Sequence, residues 1–166
     1  SGHVSASDRS SLVLHDKAGN ARFTIDASGY VMENQVNAFG QVEVQTLYPI
    51  ALSASQRPAS AGAMLALLGN LHDTQNPSSV IRTAYDKGGN EVRRTNADGM
   101  VTTTGYDAFG RATYVVDAAD SDDKVFTRRI YDDRDRVIEE THGWGALTKS
   151  MRYVYDDSAS TMSVVS

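Results

Sequence analysis

One short motif recurs along this chain and limits the fold more than any other feature of the sequence. The motif is Asp or Asn, then two variable residues, then Gly, and it begins at residues 16, 26, 37, 86, 96 and 107. The first side chain accepts a backbone hydrogen bond and the Gly tolerates a positive φ, so each copy predicts a tight turn. Neighbouring copies lie 10 or 11 residues apart within each group of three. Short strands joined by turns at this spacing predict a continuous antiparallel sheet.

We expect structural roles for the acidic, amide and glycine residues of these turns: Asp16, Gly19, Asp26, Gly29, Asn37, Gly40, Asp86, Gly89, Asp98, Gly99, Asp107 and Gly110. In the second half of the chain a Tyr precedes the turn, giving the pairs Tyr85–Asp86, Tyr106–Asp107, Tyr131–Asp132 and Tyr155–Asp156. Because these tyrosines recur once per pair of strands, we expect a ladder across neighbouring strands, with hydrogen-bonded hydroxyls where they are buried. After Asp132 the Gly is replaced by Asp135, which must then adopt the strained left-handed conformation.

Composition supports strands and weighs against several classes of function. Val, Thr and Tyr are frequent, and these residues suit a pleated, half-buried surface. The net charge of −5 weighs against nucleic-acid binding and against an electrostatic membrane anchor. The chain has no Cys, which excludes disulfides and thiolate metal sites. No stretch approaches the roughly 20 apolar residues of a membrane-spanning helix.

The chain divides by composition into four segments, which we expect to form a single structural domain. Residues 1–10 are a leader or tag remnant, 11–48 a first repeat block, 49–79 an insertion rich in Pro, Ala and Ser, and 80–166 a second repeat block. The chain's three prolines, Pro49, Pro58 and Pro77, all lie in the insertion.

The insertion contains AGAMLALLGNL, which has helical rather than alternating character. It predicts a helix from about Ala59 to Leu68, with Gly69 as the first residue after its end. The predicted buried stripe contains Met64, Leu65, Leu68 and Leu71. We expect this helix to cover an apolar face or end of the sheet, and the alternative is a helix that binds a partner.

No set of residues in the sequence predicts catalysis, a metal centre or a cofactor. The four histidines, His3, His15, His72 and His142, are isolated from one another, and neither a nucleophile elbow nor a phosphate-binding loop is present. The segment from His142 to Gly145 predicts a turn that exposes Trp144. The residues we expect to contact any ligand are therefore Trp144 and His142.

An acidic run between residues 117 and 123 raises the question of calcium. Asp117, Asp120, Asp122 and Asp123 offer carboxylate oxygens, but they lack the spacing of an EF-hand loop. We predict a solvated hairpin loop, with calcium binding as the alternative.

The Tyr–Asp units resemble the YD repeat of RHS-repeat proteins, which reads approximately Y-D-x-x-G-R-L and is followed by a T-D-x-x-G turn. The matching segments begin at Tyr85, Tyr106, Tyr131 and Tyr155, and His15–Gly29 looks like the same unit with His in the Tyr position. The segment 36–41 is a degenerate copy. The resemblance covers roughly residues 11–48 and 80–156, with the insertion as a departure from it.

The resemblance implies a mainly β fold: an open, curved strip of antiparallel hairpins with one short helical insertion. In full-length members of the family such strips spiral into a hollow shell that can enclose a C-terminal toxin. The resemblance thus implies an exported bacterial protein, extracellular or at the cell surface. Its partners would be neighbouring repeats of the parent chain, with an enclosed toxin domain or a cell-surface ligand.

The leading functional hypothesis is a structural segment of an exported RHS-repeat protein, forming part of a β shell or scaffold and catalysing no reaction itself. The alternative is an adhesin-like module that binds glycan or protein through exposed aromatic residues. An isolated piece of such a strip has unpaired edges, so we also expect it to self-associate through edge strands.

Overall fold

The computed structural model describes residues 11–70, 78–156 and 161–165. Those residues form twelve strands and one α-helix, α1 (Ala61–Asn70), with a single turn of 3-10 helix at Ala54–Gln56. The strands are β1 (Leu12–His15), β2 (Ala21–Ile25), β3 (Tyr30–Val36), β4 (Val42–Ala51), β5 (Ser79–Tyr85), β6 (Glu91–Thr95), β7 (Val101–Tyr106), β8 (Ala112–Asp117), β9 (Val125–Tyr131), β10 (Val137–Trp144), β11 (Leu147–Asp156) and β12 (Thr161–Val165). Among the described residues, no helix has the length and apolar character needed to cross a bilayer.

The sheet has the simplest order that the repeats allow, because the strands follow one another from β1 to β12 as they do along the chain. Neighbouring strands run antiparallel, as in the pairing of Leu14 with Phe23 and of Gly143 with Phe126. The prediction of a mainly β, antiparallel hairpin strip with one helical insertion is confirmed. The chain divides into two compact units, Ser1–Arg82 and Thr83–Ser166. The single structural domain stays a prediction.

The repeated motif forms the same turn wherever it occurs. In the first copy, Gly19 N–H donates to Asp16 O at 3.1 Å, and Asp16 N–H donates to Asn20 O at 2.9 Å. The glycines at the fourth position have φ between 78° and 95° at all six copies. Asp135 replaces the Gly in a seventh turn and has φ of 62°, as predicted. The strain follows from its Cβ, which left-handed backbone brings close to the following carbonyl oxygen.

The first unit has a core that lies between its strands and α1. Phe23, Ile25, Val31 and Met64 are fully buried. The same cluster contains Leu14, Leu52, Ala61 and Leu68. The helix therefore covers an apolar sheet face, as expected from its composition.

The bounds and the buried face of the helix differ from the prediction. The helix begins at Ala61 rather than at Ala59, because the Ser60 hydroxyl accepts a hydrogen bond from Ala63 N–H at 3.2 Å and caps its first turn. It continues to Asn70, so Gly69 lies inside the last turn. The buried stripe is Ala61, Met64 and Leu68, a helical spacing that leaves Leu65 exposed.

Strand β4 continues through Pro49 to Ala51, so the sheet includes the first residues of the segment predicted as an insertion. The insertion is attached to the sheet at one turn: Leu52 N–H donates to Gly29 O at 2.9 Å. A Cβ at Gly29 would overlap the main chain of Leu52, so Gly29 is needed both for its φ of 95° and for this close approach. Residues 1–10, His72, Leu71 and Pro77 lie outside the described residues.

Candidate functional site

In the Tyr–Asp repeats that begin at Tyr85, Tyr106 and Tyr131, the carboxylate of the Asp binds its own turn. Asp86 Oδ1 accepts hydrogen bonds from Gly88 N at 2.8 Å and Asn90 N at 2.9 Å, and its Oδ2 accepts one from Asn90 Nδ2 at 3.0 Å. Hydrogen bonds from the Asn90 side chain and main chain hold the pKa of Asp86 below its usual value. The same two main-chain bonds recur at Asp16, Asp107 and Asp132.

The turn at Asn96–Gly99 uses a different acceptor. Here the third residue, Asp98, accepts a hydrogen bond from Met100 N–H at 3.0 Å. The Asn96 side chain instead accepts one from Arg94 Nε at 3.3 Å. Asp98 thus supports its turn from the third position rather than the first.

The tyrosines connect one repeat to the preceding one through main-chain atoms. The hydroxyl groups of Tyr106, Tyr131 and Tyr155 donate to the carbonyl oxygens of Glu91 at 2.9 Å, Ala112 at 2.7 Å and Val137 at 2.8 Å, respectively. Each acceptor is the fifth residue after the turn Asp of the preceding repeat. We call each such contact, with the turn and the Tyr that it joins, a repeat junction.

An arginine strengthens two of these junctions from the side of the preceding repeat. The guanidinium carbon of Arg111 lies 4.8 Å from the centre of the Tyr131 ring, and that of Arg136 lies 4.4 Å from the centre of the Tyr155 ring. Both distances suit a cation–π contact. Arg111 also donates from Nε to Asp107 at 2.8 Å and from Nη1 to Asp132 O at 3.0 Å. At Tyr131 and Tyr155 the ladder across the repeats therefore consists of Tyr–Arg contacts.

Among the residues that the structure describes, no arginine stacks on Tyr106 at its junction. Asn90 stands where the later repeats have Arg111 and Arg136. It bonds to Asp86 and lies against the next turn, where a Cβ at Gly110 would be 3.7 Å from Asn90 Oδ1. Sequence analysis gave these three side chains no role, although their shared position, four residues after the turn Asp, was a signal for one.

Trp144 and His142 do not lie in a turn, contrary to the prediction. Both belong to β10, and only Gly145 and Ala146 form the turn, because Trp144 pairs with Leu147. Trp144 is 56% exposed. The reason for the glycine between them is non-local: a Cβ at Gly143 would overlap the ring of Phe126 on the neighbouring strand.

His142 belongs to a polar cluster on one face of β9 and β10. Its Nδ1 lies 3.1 Å from Thr127 Oγ1, its Nε2 lies 2.8 Å from Glu140 Oε1, and Arg129 Nε donates to Glu140 Oε2 at 2.6 Å. Burial would raise the pKa of Glu140, but the hydrogen bonds from Arg129 and His142 outweigh it and lower that pKa.

The order hydroxyl, imidazole and carboxylate is that of a nucleophilic triad. Thr127 lies in the middle of β9, however, where it pairs with Val115 on one side and His142 on the other. Main-chain N–H groups that serve the sheet are not free to stabilise an oxyanion, which such a mechanism requires. The cluster is better explained as cross-strand pairing of polar side chains.

Two carboxylates of the acidic loop bind different side chains of the same unit. Asp117 accepts a hydrogen bond from Thr102 Oγ1 at 2.9 Å, and Asp120 forms an ion pair with Arg93 at 2.5 Å. Within residues 11–70, 78–156 and 161–165, no three His, Asp or Glu side chains are grouped so that they could hold a metal ion.

The first unit contains a buried polar group that sequence analysis missed. Glu33 is only 4% exposed, and it bonds to Arg22 and to the hydroxyl of Tyr48, both at 2.5 Å. Burial and the hydrogen bond to Glu33 raise the pKa of Tyr48. These three residues lie on three adjacent strands, so no local sequence pattern could have predicted their contact.

In a comparison with protein families, residues 85–122 match the RHS repeat. These residues contain the first two Tyr–Asp turns of the second unit. The resemblance to RHS-repeat proteins, predicted from the sequence, is confirmed. No curated protein matches the chain.

Solved structures of Tc toxins show similarity at low identity. A Tc holotoxin pore of Photorhabdus luminescens with a mutated TccC3 has 18% identity over 88% of this chain, with a TM-score of 0.44. A complex of TcdB2, TccC3 and Cdc42 has 19% identity over 86% of this chain, also with a TM-score of 0.44. This chain spans 8% of the matched chain in each case.

Proposed function

We propose, starting from the RHS repeat at residues 85–122, that this chain is a structural segment of a larger exported RHS-repeat protein and catalyses no reaction itself. In this proposal its task is to hold consecutive hairpins in one strip. The strip would form part of a β shell or scaffold, and the parent protein would act outside the cell or at its surface.

The observation that carries the proposal is the repeat junction. Three successive tyrosines donate to main-chain oxygens of the preceding repeat, at 2.7 to 2.9 Å. Two of them also lie under an arginine of that repeat. Contacts that join only neighbouring repeats give a strip whose stability is a sum of neighbour terms, which suits an extended wall.

The partners in this proposal are further repeats of the parent chain. The last strand in the sheet order is β12, and all five of its residues are exposed. None of Thr161–Val165 is charged or Pro, so this edge lacks the usual protection against pairing with another strand. The isolated chain should therefore self-associate as its concentration rises, which light scattering after size exclusion would detect. A strict monomer at high concentration would contradict this part of the proposal.

Electron cryo-microscopy of the natural protein that contains this sequence tests the function. We expect the strands of this chain to continue into further hairpins on both sides, within one strip that borders an enclosed space. The proposal fails if the sheet stops at the ends of this sequence and the neighbours are unrelated domains. Reading the coding sequence on either side gives an earlier answer, because flanking Tyr–Asp repeats are expected.

A further inference from the structure

The second unit contains a cleft of about 530 Å³ that the repeat junctions do not use. Two aromatic rings, Tyr114 of β8 and Phe126 of β9, form its floor. Their centres lie 5.6 Å apart and their planes are tilted by 32°. Tyr114 is 42% exposed, so the floor is open to solvent. The volume falls in the usual range for small-molecule sites.

Two glycines within strands lie opposite the aromatic residues of this floor. Gly105 pairs with Tyr114, and Gly143 pairs with Phe126. The Phe126 ring occupies the space that a side chain at position 143 would fill, so it lies across the neighbouring strand. Glycine weakens a strand, and within strands it often marks a place where another group approaches closely. Here that group is an aromatic ring, and the result is a broad apolar surface.

The rim of the cleft is polar and balanced in charge. Arg93 and Asp120 form one side as an ion pair at 2.5 Å, with side chains 46% and 59% exposed. Asp122 and Lys124 also line the cleft, and both are exposed. The rim thus contains two cationic and two anionic side chains, so it has no net charge. Arg93 and Lys124 offer hydrogen-bond donors, and Asp120 and Asp122 offer acceptors.

We propose that this aromatic cleft binds a neutral saccharide, a function that goes beyond the structural role proposed above. A sugar ring has one face of C–H groups, which packs on an aromatic floor, and a rim of hydroxyls that both donate and accept hydrogen bonds. The Tyr114–Phe126 floor fits the first property, and the Arg93, Asp120, Asp122 and Lys124 side chains fit the second. A rim without net charge does not compensate a charged ligand for its loss of hydration, so it favours a neutral ligand.

Titration of the isotope-labelled chain with maltose, cellobiose and N,N′-diacetylchitobiose, followed by NMR, tests the proposal. At least one of these sugars should shift the amide signals of β8, β9 and the loop between them. Galacturonic acid is the charged control and should shift them less. The proposal is overturned if no neutral sugar moves these signals up to its solubility limit, or if the signals around Trp144 move instead.

Matched variants separate this cleft from the rest of the surface. Tyr114→Ala should weaken binding about tenfold, the upper range for one aromatic contact, whereas Tyr114→Phe should retain most of it. Trp144→Ala is the control, because Trp144 is adjacent in sequence to Gly143 and lies on the opposite face of β10. If Tyr114→Ala fails to fold, Asp120→Asn replaces it and should also weaken binding. Wild-type binding by both Tyr114→Ala and Asp120→Asn would overturn the proposal, and so would a loss of binding in Trp144→Ala alone.

Discussion

The guanidinium carbon of Arg136 lies 4.4 Å from the centre of the Tyr155 ring, 19 residues further along the chain. The same arginine donates from Nε to Asp132 at 2.7 Å, so one side chain binds its own turn and the next repeat together. Its planar group can serve both roles because the edge donates while the face stacks. The arginine therefore connects the turn of one repeat to the tyrosine ring of the next. The carboxylate, the arginine and the tyrosine can each be substituted separately.

Asn90→Arg should strengthen the junction at Tyr106, on which no cation stacks within the described residues. An arginine at this position should donate to Asp86 and stack on Tyr106, as Arg111 does with Asp107 and Tyr131. The expected gain in unfolding free energy is about 0.5–1 kcal/mol, the usual range for an exposed cation–π pair. Urea denaturation measures it. Arg136→Asn is the reverse control and should lose a similar amount, and a stabilised Arg136→Asn variant would contradict the role of the arginine.

Tyr131→Phe should lower the unfolding free energy by about 0.5–1.5 kcal/mol, because it removes the hydrogen bond to Ala112 O and leaves a half-buried carbonyl without its donor. Tyr114→Phe is the matched control. Among the described residues the Tyr114 hydroxyl has no hydrogen-bond partner, so its removal should leave the denaturation midpoint unchanged. Equal effects at the two positions would show that the hydroxyl bond is not what stabilises the junction.

Gly143→Ala should destabilise the chain by about 1–3 kcal/mol, because the new methyl group overlaps the Phe126 ring and forces it out of position. Gly105→Ala provides a closely matched comparison. It also lies in a strand opposite an aromatic residue, but its Cβ would meet Tyr114 Cβ at an ordinary 3.7 Å. Thermal unfolding should separate the two variants clearly. If both are tolerated, the close approach of Phe126 does not constrain position 143.

Asp135→Gly should raise the unfolding free energy by about 0.5–1 kcal/mol, because Gly adopts the observed φ of 62° without the clash of a Cβ. The variant loses the contact of Asp135 with Arg111, but that carboxylate is 78% exposed and such ion pairs contribute little. Differential scanning calorimetry checks the sign. A loss of stability would mean that the ion pair outweighs the strain.

We expect the unfolding free energy to fall in acid, because the turn carboxylates become protonated. Loss of solvent contact would raise the pKa of Asp107, but hydrogen bonds from Arg111 and Phe109 lower it below the ordinary 3.8, and the same holds for Asp132 with Arg136. A lowered pKa in the folded state adds stability above pH 3.8, and this contribution disappears as the pH falls through the folded value.

Replacement of Asp107 and Asp132 together by Asn should flatten this acid dependence in urea titrations at a series of pH values. Asn suits the first turn position, since Asn37 occupies it and accepts hydrogen bonds from Phe39 N and Gln41 N. The turns should therefore persist in the variant. An unchanged acid slope would show that other carboxylates cause the loss.

The sequence predicted the turns and the strand order because both depend on residues that lie close together in the chain. The carboxylate of Asp86 and the φ of Gly89 belong to one turn, and the strain at Asp135 could be foreseen from its position alone. Neighbouring strands then had a single simple way to pair. Local chemistry was sufficient for this part of the fold.

Contacts between distant residues were the ones that sequence analysis missed. The Gly143 position was interpreted as a turn, although its cause is the ring of Phe126 on another strand. The stacking of Arg111 on Tyr131 joins residues 20 positions apart, and the cluster of Arg22, Glu33 and Tyr48 joins three strands. The start of α1 was misplaced by two residues, because the helix begins after Ser60, whose hydroxyl accepts a hydrogen bond from Ala63 N–H.

The acceptor in each repeat junction is a main-chain carbonyl, and this has a consequence for how such chains can vary. The residues that supply it are Glu91, Ala112 and Val137, which share no side-chain chemistry. The hydrogen bond of a junction therefore needs no particular side chain at its acceptor residue. Exchange of one repeat for another should keep this hydrogen bond and change only the added contribution of the arginine, so chains of this kind can tolerate duplication or loss of repeats.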